Sequence, residues 1–366
     1  MKKTVALILS ALIILTSAAC SAQNSSTADT TAPATTAPLK ETTGDSAEQQ
    51  MLNEKLEEFG FEGTVYAAKG GKAYATYANG TLDNGKDITI DTPMPVGSVS
   101  KQFCAASILL LQEQGKLSVK DTLGKYFPEC SYGEKVTLHH MLSMRSGIPE
   151  IIDKKEQLQY EAGMDKTEEE NIAAFKKWVF AQELDFEPDT SFAYSNSNFM
   201  LLGLIVEQVS GKSYIDFLHD NIFTPLGMKH SGTIHELKDS PEWANGVTHK
   251  AENLSPGIEP GMAKGAGDIV STGEDITIWL NALSSGKLIS KESYKTMTTD
   301  YTDSTSHYGY GLYVEFSGGV GHFGNIGTYT AADYLNENTD VTLFVATCSM
   351  SSGTLINIFT TLVTLI

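Results

Sequence analysis

The chain has 366 residues, 41% of them hydrophobic, which is enough for one large domain or two layers with separate cores. Its 26 basic and 45 acidic residues give a formal charge of −19, which speaks against nucleic-acid binding, since neutralising phosphates needs a basic patch. Arg145 is the only arginine, so recognition of a carboxylate by a guanidinium fork has a single residue to draw on.

Lys2 and Lys3 precede two apolar runs, Val5 to Leu9 and Ala11 to Leu15, in the manner of a secretory leader. Ser10 and Thr16 interrupt the run and small residues follow it, which argues against a permanent membrane span. Ser17-Ala18-Ala19-Cys20 resembles a bacterial lipobox, with serine where leucine is usual. That resemblance implies a signal segment over 1–20 with a lipobox-like end, cleaved so that a lipidated Cys20 becomes the first mature residue. Without lipidation, Ser17 and Ala19 would suit an ordinary signal peptidase and a freely secreted protein. Residues 21–46 are mostly Ser, Thr, Ala and Pro and cannot bury enough apolar surface to offset their ordering entropy. They read as a disordered tether, placing a folded part over 47–366 on the bacterial cell surface, anchored to the membrane by lipid.

Within the folded part, 46–59 is helix-like, with Met51, Leu52, Leu56 and Phe59 on one stripe. Two strands, 64–69 and 72–77, flank Gly70-Gly71 as a hairpin. From Ser98 an apolar helix runs to a stop at Gly115, and the chain then reads as helical and loop-rich to about Leu283. A strong helix covers 198–209 and stops at Gly211. Strands return over 310–314, 328–331 and 341–347, before an apolar helix over 355–366 that is too short to span a bilayer. A sheet built from both chain ends, with a helical insertion over about 112–283, is an α/β-plus-α architecture. Cys104, Cys130 and Cys348 do not make a disulfide framework, and Cys104 and Cys348 read as small core residues. No spacing resembles a metal site, and no cofactor is expected.

Ser98 and Lys101 lie three apart on the same helix and therefore share a face. A buried ammonium loses hydration and its pKa falls, which lets it take a proton from a serine hydroxyl. As a bare pattern the pair is weak, because Ser284-Ser285-Gly286-Lys287 satisfies it too.

Order and flanking phrases decide between them. Ser98-x-x-Lys101, Tyr194-Ser195-Asn196 and His322-Phe323-Gly324 follow one another, embedded in longer stretches such as 97–103, 142–149, 192–199, 225–228 and 308–312. Taken together they resemble the serine β-lactamase and penicillin-binding protein family, in the branch of class C β-lactamases, D-alanyl-D-alanine carboxypeptidases and esterases. The resemblance runs from about Leu56 to the C-terminus. It implies a β-lactamase/transpeptidase-like fold, an antiparallel sheet flanked by helices with a helical insertion. It also implies acyl transfer through a covalent intermediate on Ser98, with Lys101 and Tyr194 sharing the proton traffic. Asn196 would hold a substrate amide and Lys101. His322 stands where β-lactamases of this group carry lysine, and its charge is expected to switch near neutral pH. Gly324 would belong with the substrate-binding and oxyanion residues, and the backbone N–H groups of Ser98 and Asn325 would form the oxyanion hole.

Two departures bear on substrate. Phe323 occupies the middle of the third motif, where a hydroxyl often holds a substrate carboxylate. Asp189 stands where relatives usually have glycine, which points to an altered turn. The expected function is an extracytoplasmic serine hydrolase acting on amides or esters, D-amino-acid peptides of peptidoglycan type among them. The alternatives are a catalytically weak surface protein that recognises wall fragments, and a class C-type β-lactamase. The expected partners are a small-molecule or peptidoglycan-derived substrate and the membrane, with no nucleic acid; the oligomeric state is left open.

Overall fold

The computed structural model describes residues 46–365 apart from 83–84, 152–162, 238–258, 303 and 305. The leader, Cys20 and nearly all of the tether lie outside the described residues.

Helix α1 (Ala47–Glu58) starts where the Ser46 side chain accepts the Gln49 N–H, an N-cap that satisfies one orphan donor. Strands β1 (Gly63–Lys69) and β2 (Lys72–Asn79) form the hairpin, with Gly70 and Gly71 at φ +59° and +72°. Two successive positive φ values are what a tight hairpin turn needs. Near the C-terminus come β6 (Tyr313–Phe316), β7 (Gly319–Ile326), β8 (Tyr329–Asn336) and β9 (Val341–Thr347). With β1 and β2 they make one antiparallel sheet in the order β2-β1-β9-β8-β7-β6.

Strand periodicity sorts the side chains onto two faces. Val65, Ala67, Leu343 and Val345 face a core completed by Leu52 and Leu56 of α1 and by Phe359 and Leu362 of the last helix. The alternating residues Tyr66, Ala68, Phe344 and Ala346 face the larger core. That core contains α2 (Ser100–Glu113), α3 (Leu138–Leu142), α4 (Glu168–Phe180), α5 (Asn196–Ser210), α6 (Tyr214–Leu218), α7 (Gly273–Ser285) and α8 (Lys291–Met297). The last helix, α9 (Ser352–Leu365), covers the other face. A small sheet of β3 (Met94–Pro95), β4 (Gly232–Thr233) and β5 (Ile269–Ser271), in the order β3-β5-β4, lies among the helices.

Helix α2 is the centre of the larger core, buried at every position from Ser100 to Leu109. Phe103 stacks on Trp279 at 3.9 Å and meets Phe223 edge-on at 5.9 Å. Burying one such ring stabilises the fold by about 1.5–3 kcal/mol.

Several boundaries differ from those expected. Ser98 lies in a 3-10 turn (Gly97–Val99) that feeds α2, α5 begins at Asn196, and α9 begins at Ser352. The strand expected over 310–314 begins only at Tyr313. Before it the chain turns against α8 and α3: Tyr310 N–H donates to the Met297 carbonyl, and Gly311 N–H donates to the Leu142 carbonyl at 3.3 Å. Gly311 has φ +72°, and a Cβ there would lie 2.5 Å from the Lys101 carbonyl oxygen. That close approach replaces a strand ladder with a turn.

Candidate active site

The pair named first by the sequence meets as expected. Lys101 Nζ donates to Ser98 Oγ at 2.9 Å, to Asn196 Oδ1 at 2.7 Å and to the Ala266 carbonyl at 2.6 Å. Lys101 is fully buried, whereas Ser98, Tyr194 and Asn196 are partly exposed. A reactive hydroxyl is thus reachable from outside while the cation behind it is sealed from water. Burial lowers the Lys101 pKa from its usual 10.5 to about 7, against the opposing pull of Glu150, Cys104 and Asp268.

Tyr194 lies beside the pair, with Lys101 Nζ 4.9 Å from the centre of its ring. Burial holds the phenol well above its usual value, so the hydroxyl keeps its proton at neutral pH. Tyr194 and Asn196 owe their place to the segment ending at Pro149. The Ala193 N–H donates to the Met144 carbonyl, Ser197 Oγ to the Pro149 carbonyl at 2.7 Å, and Ser146 Oγ to Asn198 Oδ1 at 2.6 Å. The long phrases around the second motif are therefore two sides of one interface.

Strand β7 reaches the site edge-on. Gly324 packs so closely that a Cβ would lie 1.8 Å from the Val96 carbonyl oxygen and 2.9 Å from Ser98 N. From the other side, Gly97 has φ +53°, and a Cβ there would lie 2.6 Å from Asn325 N. Two glycines are thus required for the backbones of Ser98 and Asn325 to approach. The Asn325 side chain is exposed and donates to Ser352 Oγ at 2.9 Å.

His322 corrects the expectation of a switch near neutral pH. It is 2% exposed, its Nε2 faces the Tyr308 hydroxyl at 3.1 Å, and its ring lies among Tyr194, Tyr308 and Tyr313. Burial, aided by the Lys101 charge, pushes its pKa down to about 3, so the imidazole is neutral across the physiological range. Phe323, one residue on, points to the opposite face of the sheet. Its ring meets Phe316 at 4.8 Å and Phe359 at 5.2 Å, which makes it a packing residue under α9.

The competing matches fall elsewhere. Ser284 Oγ bonds the Asn281 carbonyl near the end of α7, and Lys287 is exposed beyond the Gly286 cap. Arg145 donates through Nε to Asp189 Oδ1 at 2.7 Å and through a terminal nitrogen to the Asp189 carbonyl. Asp189 itself has φ +69°, the conformation for which glycine is the usual choice. The altered turn is therefore closed by the one arginine.

Sequence reasoning missed Glu150. Its Oε2 accepts both the backbone N–H and the side-chain amide of Asn196, at 2.5 and 3.1 Å. Its position directly after Ser146-Gly147-Ile148-Pro149, a phrase already singled out, was the available signal.

A buried amine with a lowered pKa, a reachable hydroxyl and the close approach of the Ser98 and Asn325 backbones fit a nucleophilic serine site, and the fold around them is that of a serine hydrolase. The Beta-lactamase family matches residues 49–355, and the chain belongs to that family. It is 30% identical over 293 residues to the putative penicillin-binding protein PbpX of Bacillus subtilis, covering 79% of this chain and 70% of that one. It is 25% identical over 272 residues to the teichoic acid D-alanine hydrolase of Staphylococcus aureus, covering 70% and 63%. Among solved structures, the D-amino acid amidase of Ochrobactrum anthropi superposes with a TM-score of 0.73 at 25% identity, covering 87% and 96%.

Proposed function

We propose that this chain is an extracytoplasmic hydrolase that cleaves D-amino-acyl amides or esters through an acyl-enzyme on Ser98. The observation that carries the reading is the Lys101 ammonium, fully buried and within 2.9 Å of Ser98 Oγ. With its pKa near 7, a substantial fraction of Lys101 is neutral at neutral pH and able to accept a proton, whereas Tyr194 is held protonated. Lys101 is therefore the base and Tyr194 the donor on the path back.

Ser98 Oγ attacks the carbonyl carbon as its proton passes to Lys101 Nζ. The oxyanion is held by the N–H groups of Ser98 and Asn325, a contribution of about 3 kcal/mol per donor. When the intermediate collapses, the leaving amine or alcohol takes the Tyr194 proton, which Lys101 replaces. Water then attacks the ester by the same route in reverse, releasing the acid and restoring Ser98. Asn196, with Oδ1 committed to Lys101 and Nδ2 to Glu150, keeps Lys101 in line. The relatives named for D-amino acid amide and teichoic acid D-alanine hydrolysis support a D-amino acid as the acyl part. The leader and the lipobox-like Cys20 support a site of action at the cell surface.

The test is a panel of acyl donors, a p-nitrophenyl ester, D-amino acid amides, a D-Ala-D-Ala peptide and a chromogenic cephalosporin, followed by intact-mass detection of the acyl-enzyme. A fluorophosphonate should label wild type and Ser284→Ala but not Ser98→Ala. Labelling that survives Ser98→Ala overturns the assignment. Binding of wall fragments with no acyl-enzyme from any donor would favour the recognition protein instead.

A further inference from the structure

Behind the site runs a buried polar chain that the acyl-transfer steps leave unused. Trp279 Nε1–H donates to Gln102 Oε1 at 3.0 Å, and Gln102 Nε2 donates to Asp333 Oδ1 and Oδ2 at 2.9 and 2.8 Å. Asp333 Oδ1 also accepts the backbone N–H of His322 at 2.7 Å. An indole nitrogen can only donate, so Trp279 settles which end of the Gln102 amide faces Asp333. All three side chains are fully buried. The donors that reach Asp333 are neutral, and burial pushes its carboxyl up to about 7. Keeping an ionisable group in such a place is costly, and an apolar side chain would fill the space more cheaply.

The two ends of this chain are informative. Gln102 is the neighbour of Lys101 on the helix that carries the nucleophile. His322 lies two residues before Gly324 on the strand that supplies Asn325. The Ser98 turn and that strand approach so closely that neither Gly97 nor Gly324 leaves room for a methyl group, and a small shift of either backbone changes the site. We propose that Asp333 is a positioning residue: through Gln102 and the His322 backbone it fixes the spacing between the Ser98 turn and β7, and so the width of the oxyanion hole. The inference rests on the acyl-transfer reading above.

The experiment uses the full chain as wild type, Asp333→Asn, Gln102→Met, and Asp333→Asn combined with Gln102→Glu. Asp333→Asn sets an amide NH2 against the Gln102 NH2. The double variant keeps an acceptor for Trp279 and for the His322 N–H and restores one of the two central hydrogen bonds, with its direction reversed. The readouts are the second-order rate of phosphonylation of Ser98 by a fluorophosphonate, kcat and KM on one ester, and Tm. Each single variant is expected to slow phosphonylation and kcat by about 10- to 100-fold with KM within about threefold, the signature of a displaced catalytic geometry. The double variant is expected to recover both rates to within about threefold. Single variants that are folded and react at the wild-type rate overturn the proposal, as does a double variant that regains Tm without regaining rate. A wild type that resists the fluorophosphonate overturns the acyl-transfer reading itself.

Discussion

Glu150 and Lys101 hold opposite ends of one amide: Asn196 Nδ2 donates to Glu150 Oε2 while Asn196 Oδ1 accepts from Lys101 Nζ. The carboxylate therefore orients the acceptor that Lys101 needs and, through space, favours the ammonium. Cys104 and Asp268 act in the same direction, and His322 is neutral. Glu150→Gln keeps an acceptor but removes the charge. The limb of the kcat/KM profile that reports Lys101 is expected to move to lower pH by about 0.5–1 unit, measured on a neutral ester. An unmoved limb would mean that Glu150 is only a scaffold for Asn196.

Lys101 also carries a stability signature. Its folded pKa, about 7, lies below its ordinary 10.5, so between these values the unfolded chain binds more protons. The penalty for burying Lys101 is fully present below pH 7 and fades as pH rises towards 10.5. Lys101→Met should abolish labelling of Ser98 and yet gain stability relative to wild type by a few kcal/mol near pH 6, a gain that shrinks by pH 10. Denaturant melts at the two pH values measure it. A constant difference would contradict the depressed pKa.

Neighbouring residues of β7 are expected to respond in opposite ways. Gly324→Ala places a methyl group 1.8 Å from the Val96 carbonyl oxygen, so the strand must move away from Ser98. A loss of activity of about 100-fold or more is expected. Phe323→Leu removes ring contacts with Phe316 and Phe359 on the other face, costing about 1 kcal/mol of stability with kcat/KM nearly unchanged. Parallel activity assays and thermal melts distinguish the two.

Substrate charge gives a fourth test. The only arginine is bonded to Asp189, and no hydroxyl stands at position 323. A neutral ester or amide should be turned over at least as well as its analogue with a carboxylate beside the scissile bond. Arg145→Ala should lower Tm modestly, the exposed Asp189 limiting the pair to about 1 kcal/mol, and leave the ratio of the two kcat/KM values unchanged. A tenfold preference for the acid in wild type would show that another group anchors a carboxylate.

The site was legible wherever its residues sit in one run of chain. Ser98 and Lys101 are a helical turn apart, and Tyr194 and Asn196 flank the start of α5, so each pair is local, and the order of the motifs with their flanking phrases singled them out. Glu150 was not legible, because its role lies in an amide 46 positions away across a fold of the backbone. The direction of Phe323 depends on which face of β7 lies under α9, and the neutrality of His322 on three tyrosines drawn from separate segments. In the fold, alternation and the Gly70-Gly71 turn revealed the terminal strands. Strand β7 carries three glycines, which weaken any strand signal, and was recognised only through its motif. The small β3-β5-β4 sheet has strands of two or three residues, too short for periodicity to register.

The central pairing of β1 with β9 joins the two ends of the chain in one sheet. Thr347 Oγ1 donates to the Glu62 carbonyl at 2.6 Å across 285 positions of chain, and β7 reaches the serine turn only as a member of the sheet that β9 completes. Such long-range closure is slow and comes late in folding. A nascent chain that has already released Ser98, Lys101 and Tyr194 from the ribosome still lacks the strand that joins the two halves of the sheet. Ser98 is therefore synthesised well before the last strand of the sheet through which β7 is held against it.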